Sequence, residues 1–260
     1  LFKTQSFEDK LATSWLGRSF FYFPELGSTN TYAKSMSRVD TLHGTLIIAD
    51  AQTKGRGQYN KEWEANPEEN LTFSLVFEPR SQQRLTILTL ACALAIADVC
   101  GDQVCSPFDL KWPNDVLYKG RKLGGLLTEA IFNGNVIERV IVGIGINVNQ
   151  SVFDSSLENS ATSLSLITKK KYSREQLLAR ILTKIEFYYR LWDTRDIHLI
   201  RTINQALLGF GSWTTINVNG QEREGKYKFL GVNENGSLVV LNKDLEVDTF
   251  SYEQVRIQLD

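Results

Sequence analysis

The sequence predicts an α+β fold, a helix-backed sheet running to about Leu208 followed by a small antiparallel β-barrel. Three observations carry this reading. Lys122–Phe132 and Val136–Asn149 read as paired strands around an Asn133-Gly134-Asn135 turn. Ser173–Leu191 sets Leu177, Leu178, Ile181, Leu182, Ile185 and Tyr188 at helical spacing behind a Ser173 cap, with Gln176 at the capping-box position. From Gly209 the texture changes to short alternating runs, punctuated by Asn219-Gly220 and Asn235-Gly236 turns. One domain is therefore expected over residues 1–208 and a second over 209–260.

The elements follow in order. Phe20–Leu26 is a short aromatic run of strand type, and Gly27-Ser28-Thr29-Asn30 supplies a turn and cap before a helix over Thr31–Met36. Thr45–Ala49 and Leu71–Phe77 are further strands. Between them lies Gln52–Glu69, a polar loop holding two glycines, and a connection that long in a compact domain is more often functional than decorative. Thr86–Val99 is apolar enough for a buried helix, with Ala91, Ala93, Ala95 and Ala97 allowing close packing. The tail strands are Thr214–Val218, Lys226–Val232, Ser237–Leu241, Val247–Phe250 and Val255–Gln258.

Composition removes several function classes. At 260 residues, 42% hydrophobic and 23% charged, the chain is neither disordered nor fibrous. Its 29 basic and 30 acidic residues lack the positive excess that attracts nucleic acid. Apolar runs such as Leu85–Val99 fall short of the roughly 20 residues a bilayer span needs. Glu8, Asp9 and Lys10 interrupt any secretory apolar core, so a cytoplasmic protein is expected. Cys92, Cys100 and Cys105 form no CxxC pair, and Cys92 reads as a core residue.

Three segments can carry chemistry. Gln52-Thr53-Lys54-Gly55-Arg56-Gly57-Gln58 holds a glycine-flanked arginine, suited to fork onto carboxylate or phosphate oxygens; it fits neither a P-loop nor GxGxxG, and a solvated surface loop is the plain alternative. Lys111-Trp112-Pro113-Asn114-Asp115 precedes Gly120-Arg121-Lys122-Leu123-Gly124-Gly125. Pro113 there sets a bend that presents Asn114 and Asp115, and Lys122 opens an apolar strand where it is poorly placed as a solubilising charge. A turn and an edge-strand lysine is the competing account. In Gly143-Ile144-Gly145-Ile146-Asn147, alternate glycines leave room for a ring or another backbone, and the Asn147 amide offers both a donor and an acceptor to a base edge. A β-bulge followed by an asparagine turn remains open there.

Taken in order, Ser28-Thr29-Asn30, Gln52-Thr53-Lys54-Gly55-Arg56-Gly57 with Trp63, Lys111-Trp112-Pro113-Asn114-Asp115, Arg121-Lys122-Leu123-Gly124-Gly125 with Glu129, and Gly143-Ile144-Gly145-Ile146-Asn147 resemble the biotin–protein ligase family. The resemblance implies a mixed sheet with flanking helices like that of class II aminoacyl-tRNA synthetases, plus an SH3-like C-terminal domain. It implies an enzyme that makes biotinyl-5′-AMP from biotin and ATP with Mg²⁺, then transfers biotin to a lysine of a biotin carboxyl carrier protein. Carried onto this chain, Ser28, Thr29, Asn30 and Gln52 would hold the biotin ureido ring. Arg56, Gly57 and Gln58 would close over biotin and phosphate, while Lys122 would contact the biotin carboxylate and the α-phosphate. Lys111 would join Lys122 and Arg56 in neutralising phosphate charge. Trp63 would pack by the adenylate, Asn147 would read adenine, Asn114 and Asp115 would serve the nucleotide, and Asp115 would be the Mg²⁺ ligand.

The chain departs from the family at Gln58, where several members carry a second arginine, and at Tyr59-Asn60 in place of Arg-Gly. Only 27 residues precede Ser28, too few for the winged helix-turn-helix of repressor relatives, so a ligase without DNA binding is expected. Lipoate–protein ligase is the nearest alternative, although the polar Ser28, Thr29, Asn30 and Gln52 set suits a ureido group better than a dithiolane. A non-catalytic biotin sensor is the other, and it has no use for Lys111 and Lys122 as phosphate clamps. Sheet edges suit carrier docking or homodimer pairing, which leaves monomer and homodimer both open.

Overall fold

The structure is a computed structural model. It describes residues 1–37, 42–58, 62–79, 84–251 and 255–258, the last three by backbone alone. In chain order the elements are α1 (Thr4–Glu8), β1 (Phe20–Leu26), α2 (Thr29–Ser35), β2 (Leu46–Gln52), β3 (Leu71–Phe77), α3 (Leu85–Val104), β4 (Asp109–Lys111), β5 (Asp115–Tyr118), β6 (Arg121–Asn133), β7 (Val136–Ile146), α4 (Leu164–Thr168), α5 (Arg174–Asp193) and α6 (Ile197–Ala206). The tail holds β8 (Trp213–Val218), β9 (Gln221–Glu222), β10 (Tyr227–Val232), β11 (Leu238–Leu241), β12 (Val247–Phe250) and β13 (Val255–Gln258).

The main sheet has seven strands in the order β1-β2-β3-β7-β6-β5-β4. Only β1 and β2 pair in parallel, so the sheet is mixed. Its strands show why it has two unlike faces. In β3, Leu71, Phe73, Leu75 and Phe77 enter the large core, while Thr72, Ser74 and Val76 point the other way. On the core side α3 packs against the sheet, with Thr89 Oγ1 lying 2.7 Å from Thr128 Oγ1 of β6. Helix α5 covers α3 with the stripe Leu177, Leu178, Ile181, Leu182 and Ile185, all buried. The Ser173 hydroxyl caps α5 by accepting from Gln176 N at 3.3 Å. The β6–β7 hairpin turns at Gly134 with φ +61°, within the expected Asn-Gly-Asn turn.

Some expectations need correction. Helix α3 continues to Val104 and is 20 residues long, so it does reach the length and apolarity of a bilayer span; most of it, however, is buried inside the fold as a core helix. Strand β2 extends to Gln52, and α2 starts two residues early, at Thr29. The turn at Pro113 connects two short strands, β4 and β5, that periodicity alone is too weak to show. The tail, by contrast, is as expected: an antiparallel sheet in the order β12-β11-β10-β8-β13 with β9 beside β8, curled into a half-barrel.

The tail is tied to the rest of the fold at specific points. Trp112 Nε1 donates to Gly236 O at 3.1 Å, and Arg84 Nε donates to Glu234 O at 2.9 Å. Asn204 brackets Val232 with bonds to its carbonyl at 3.1 Å and from its amide at 2.8 Å.

Candidate active site

The face of the sheet turned away from α3 has glycines and other small residues near its centre. Register sets Asp115, Gly125, Gly145, Thr72 and Ala49 in one row across β5, β6, β7, β3 and β2. Leu127, Gly143, Ser74 and Ile47 form the next row. Registered residues share a face, so these rows leave space above the backbone at the centre of the sheet. Part of that space is taken by the protein's own groups. A Cβ on Gly143 would meet Asn30 Oδ1 at 2.3 Å, and one on Gly145 would meet Trp63 Cε2 at 2.3 Å. The alternate glycines therefore do admit a ring, that of Trp63, together with the amide of Asn30.

One end of this strip is polar and neutral. Ser28 caps α2 by accepting from Thr31 N at 3.4 Å. Gln52, at the end of β2, accepts through Oε1 from Thr29 N at 2.8 Å and Thr29 Oγ1 at 3.1 Å. Ser74 Oγ lies 2.7 Å from Thr29 Oγ1 and 2.6 Å from Asn30 Oδ1. Ser28, Thr29, Asn30 and Ser74 are all buried, so each bond works in a medium where an unpaired partner is costly. The sequence reading brought Ser28, Thr29, Asn30 and Gln52 together but passed over Ser74. Its signal was the alternation of Thr72 and Ser74 against the aromatic and leucine positions of β3.

The other end carries charge. Lys122 Nζ stands 2.7 Å from Asp115 Oδ1 and 6.0 Å from the Trp63 ring centroid. Strict alternation from Gly125 would send Lys122 to the core face. A β-bulge prevents this: Val116 registers with Gly124 and Leu117 with Lys122, which leaves Leu123 as the extra residue. Leu123 is thereby fully buried, and Lys122 lies over Gly125, where an added Cβ would be 2.9 Å from Nζ. Trp63 Nε1 is buried without a hydrogen-bond partner among the described residues, a free donor at this end of the strip. Asn147 is buried, with Nδ2 donating to Thr162 O at 3.1 Å. Asn114 is half-buried, and its Nδ2 donates to Leu126 O at 2.6 Å, so that donor is spent on holding the β4–β5 turn against β6. Lys111 is exposed on the edge strand, in register with Asp115.

The glycine-flanked loop lies at the neutral end. Gly55 is needed because a Cβ there would meet Trp63 O at 2.3 Å. Arg56 bridges to Glu62 and directs its guanidinium to Glu129 Oε2 at 2.8 Å, so here it rests against a carboxylate of β6 and not beside Lys122. Gly57 and Gln58 follow, both half-buried. Tyr59 and Asn60, the noted departures, lie outside the described residues. No group of three or more metal-type side chains occurs among the described residues.

Comparison with known proteins agrees with this geometry. Residues 22–147 match the model of the Biotin/lipoate A/B protein ligase family. The bifunctional ligase/repressor BirA of Bacillus subtilis is 33% identical over 236 residues, covering 88% of this chain and 71% of that protein. The biotin–[acetyl-CoA-carboxylase] ligase of Mycobacterium tuberculosis is 29% identical, covering 83% of this chain and 81% of its own length. Among solved structures, the biotin protein ligase from Aquifex aeolicus in complex with biotin and ATP superposes with a TM-score of 0.79 at 28% identity, covering 93% of this chain and all of that one. The chain belongs to the Biotin/lipoate A/B protein ligase family, and within it to the biotin–protein ligases.

Proposed function

We propose that this chain joins biotin to protein in two steps. In the first, the biotin carboxylate attacks the α-phosphorus of ATP, giving biotinyl-5′-AMP and releasing pyrophosphate. In the second, a lysine amine of a biotin carboxyl carrier domain attacks the acyl carbon, loses its proton and expels AMP. The observation that carries this reading is the polarity of the strip, a neutral hydrogen-bonding end at Thr29, Asn30, Gln52 and Ser74 joined by glycines to a Lys122–Asp115–Trp63 end.

In this reading Ser28, Thr29, Asn30 and Gln52 hold the ureido ring, a neutral group with both donors and acceptors. Lys122 sits where the carboxylate and α-phosphate meet and stabilises the charge that develops there. Trp63 offers its ring and its free N–H to the nucleotide, and Asn147 and Asn114 line the same end, with Asn147 Oδ1 as acceptor for an adenine amine. Lys111 adds positive charge at the rim. Mg²⁺ would neutralise phosphate charge with Asp115 as its protein ligand. Gly57 and Gln58 close with Arg56 over a mixed anhydride that water would destroy.

Residues 1–208 form the catalytic unit in this proposal, and residues 209–260 steady its nucleotide side through Trp112. A cytoplasmic location and a monomer or homodimer complete it.

The test is direct. Incubation with biotin, MgATP and a carrier domain should add one biotinyl group to the carrier in intact-mass spectra, dependent on ATP. A shift with lipoate in place of biotin, and none with biotin, would overturn the substrate assignment.

A further inference from the structure

Three donors converge on one carboxylate beside the neutral end of the site. Glu129 Oε1 accepts from Lys34 Nζ at 2.5 Å, while Oε2 accepts from Asn30 Nδ2 at 2.9 Å and from Arg56 at 2.8 Å. Burial, the largest single influence, raises the carboxyl's pKa, but Lys34, Asn30 and Arg56 together outweigh it and hold it below the usual range. Glu129 is thus an anion beside a site that, on the reading above, receives another anion. It lies four positions along β6 from Gly125 beneath Lys122, about 13 Å on an extended strand. Arg56 rests here against Glu129.

We propose that Glu129 is a positioning residue acting through Arg56: it holds the guanidinium at the neutral end before substrate enters and competes for it with the adenylate once that forms. This rests on the biotin-activating reading. The contacts make the exchange easy. When Arg56 leaves, Glu129 keeps Lys34 and Asn30, so its charge stays compensated. The Arg56 side chain is 43% exposed, and ion pairs of that kind are weak and readily traded for a phosphate partner.

The experiment compares biotinyl-AMP release from wild type, Glu129→Gln, Arg56→Gly and the double variant. Gln keeps an acceptor for Asn30 and Lys34 but loses the charge that competes for Arg56. Release from Glu129→Gln should slow about threefold to fivefold, the scale of one exposed ion pair, with biotin affinity within about twofold of wild type. In the Arg56→Gly background the same substitution should change nothing. A purely structural role would instead weaken biotin binding equally in both backgrounds, and that result, or unchanged or faster release, overturns the proposal. If Glu129→Gln fails to fold, Lys34→Met carries the test. It leaves Glu129 more dependent on Arg56, so release should quicken, and unchanged release overturns the idea. Failure of wild type to form biotinyl-AMP at all would strike the underlying reading instead.

Discussion

The indole of Trp63 lies on the bare backbone of Gly145: a Cβ added there would stand 2.3 Å from Cε2 and 2.8 Å from Nε1. The ring keeps its place only because position 145 has no side chain. It also brings the indole to 6.0 Å from Lys122 Nζ, so one glycine links the ring and the charge at that end of the strip.

Gly145→Ala should therefore displace Trp63 without unfolding the sheet. Overpacking of this kind costs about 1–3 kcal/mol, which here should appear as roughly a tenfold rise in the ATP concentration needed for half-maximal adenylation. Pyrophosphate release titrated against ATP measures it. An unchanged ATP requirement would show that the ring has no part in nucleotide binding.

Lys122→Ala should abolish most adenylation while leaving the melting temperature almost unchanged. One preorganised donor facing developing charge contributes about 3 kcal/mol of barrier lowering, whereas the half-exposed pair with Asp115 contributes little stability. Wild-type pyrophosphate release at saturating substrates would remove Lys122 from the mechanism.

Arg56→Gly should turn an enzyme that retains biotinyl-AMP into one that leaks it, since losing a charge-assisted contact acts mainly on the off-rate. Biotin labelling of a bystander such as albumin reports the leak. Equal labelling by variant and wild type, with adenylate still formed, would refute retention by the loop.

Trp112→Phe keeps an aromatic group of smaller size and deletes the N–H that holds Gly236 O at 3.1 Å. A buried carbonyl losing its donor costs about 1–3 kcal/mol. The expected result is a lower melting temperature with a weakened ATP response and unaltered biotin affinity, because the tail turn then no longer steadies the strand carrying Asp115. Biotin affinity falling as much as ATP use would argue against that selectivity.

Glu186 should give the fold an acid-labile anchor. Its carboxylate accepts from Ser14 N at 2.8 Å and from Trp15 N and Leu16 N at 3.0 Å. Burial, its largest single influence, raises the pKa, but these N–H donors prevail and hold it below the ordinary value. A depressed carboxyl adds stability that is complete above the unfolded value, about 4.3, and is lost as pH falls through the lower folded value. Glu186→Gln should accordingly melt lower at neutral pH and lose less than wild type between about pH 5 and pH 3. Parallel melting curves for the two proteins across that range would count against the anchor.

Much of this arrangement is legible in the chain because it is local. A turn residue at Gly134, a cap at Ser173 and the apolar spacing of α5 act within a few residues of themselves, and the structure keeps all three. The ordered motifs likewise mark Thr29, Asn30, Gln52, Lys122 and Trp63 in the sequence. What occupied the glycine strip was not legible, since Trp63 reaches Gly145 from the loop between β2 and β3, far away in the chain.

Tertiary structure alone decided three further matters. Ser74 joins the polar end only through the register of β3 with β2 and β7. Lys122 reaches the site face only because the bulge at Leu123 changes the alternation of β6, and nothing local marks which residue a neighbouring strand will leave unpaired. Glu129 collects Asn30 and Lys34 from α2 and Arg56 from the loop after β2, two segments far from it in the chain. The sequence by itself determined which residue types and which local elements the site has, through short-range sterics and periodicity. Their faces and partners were set by strand register and long-range packing, which depend on contacts between residues dozens of positions apart.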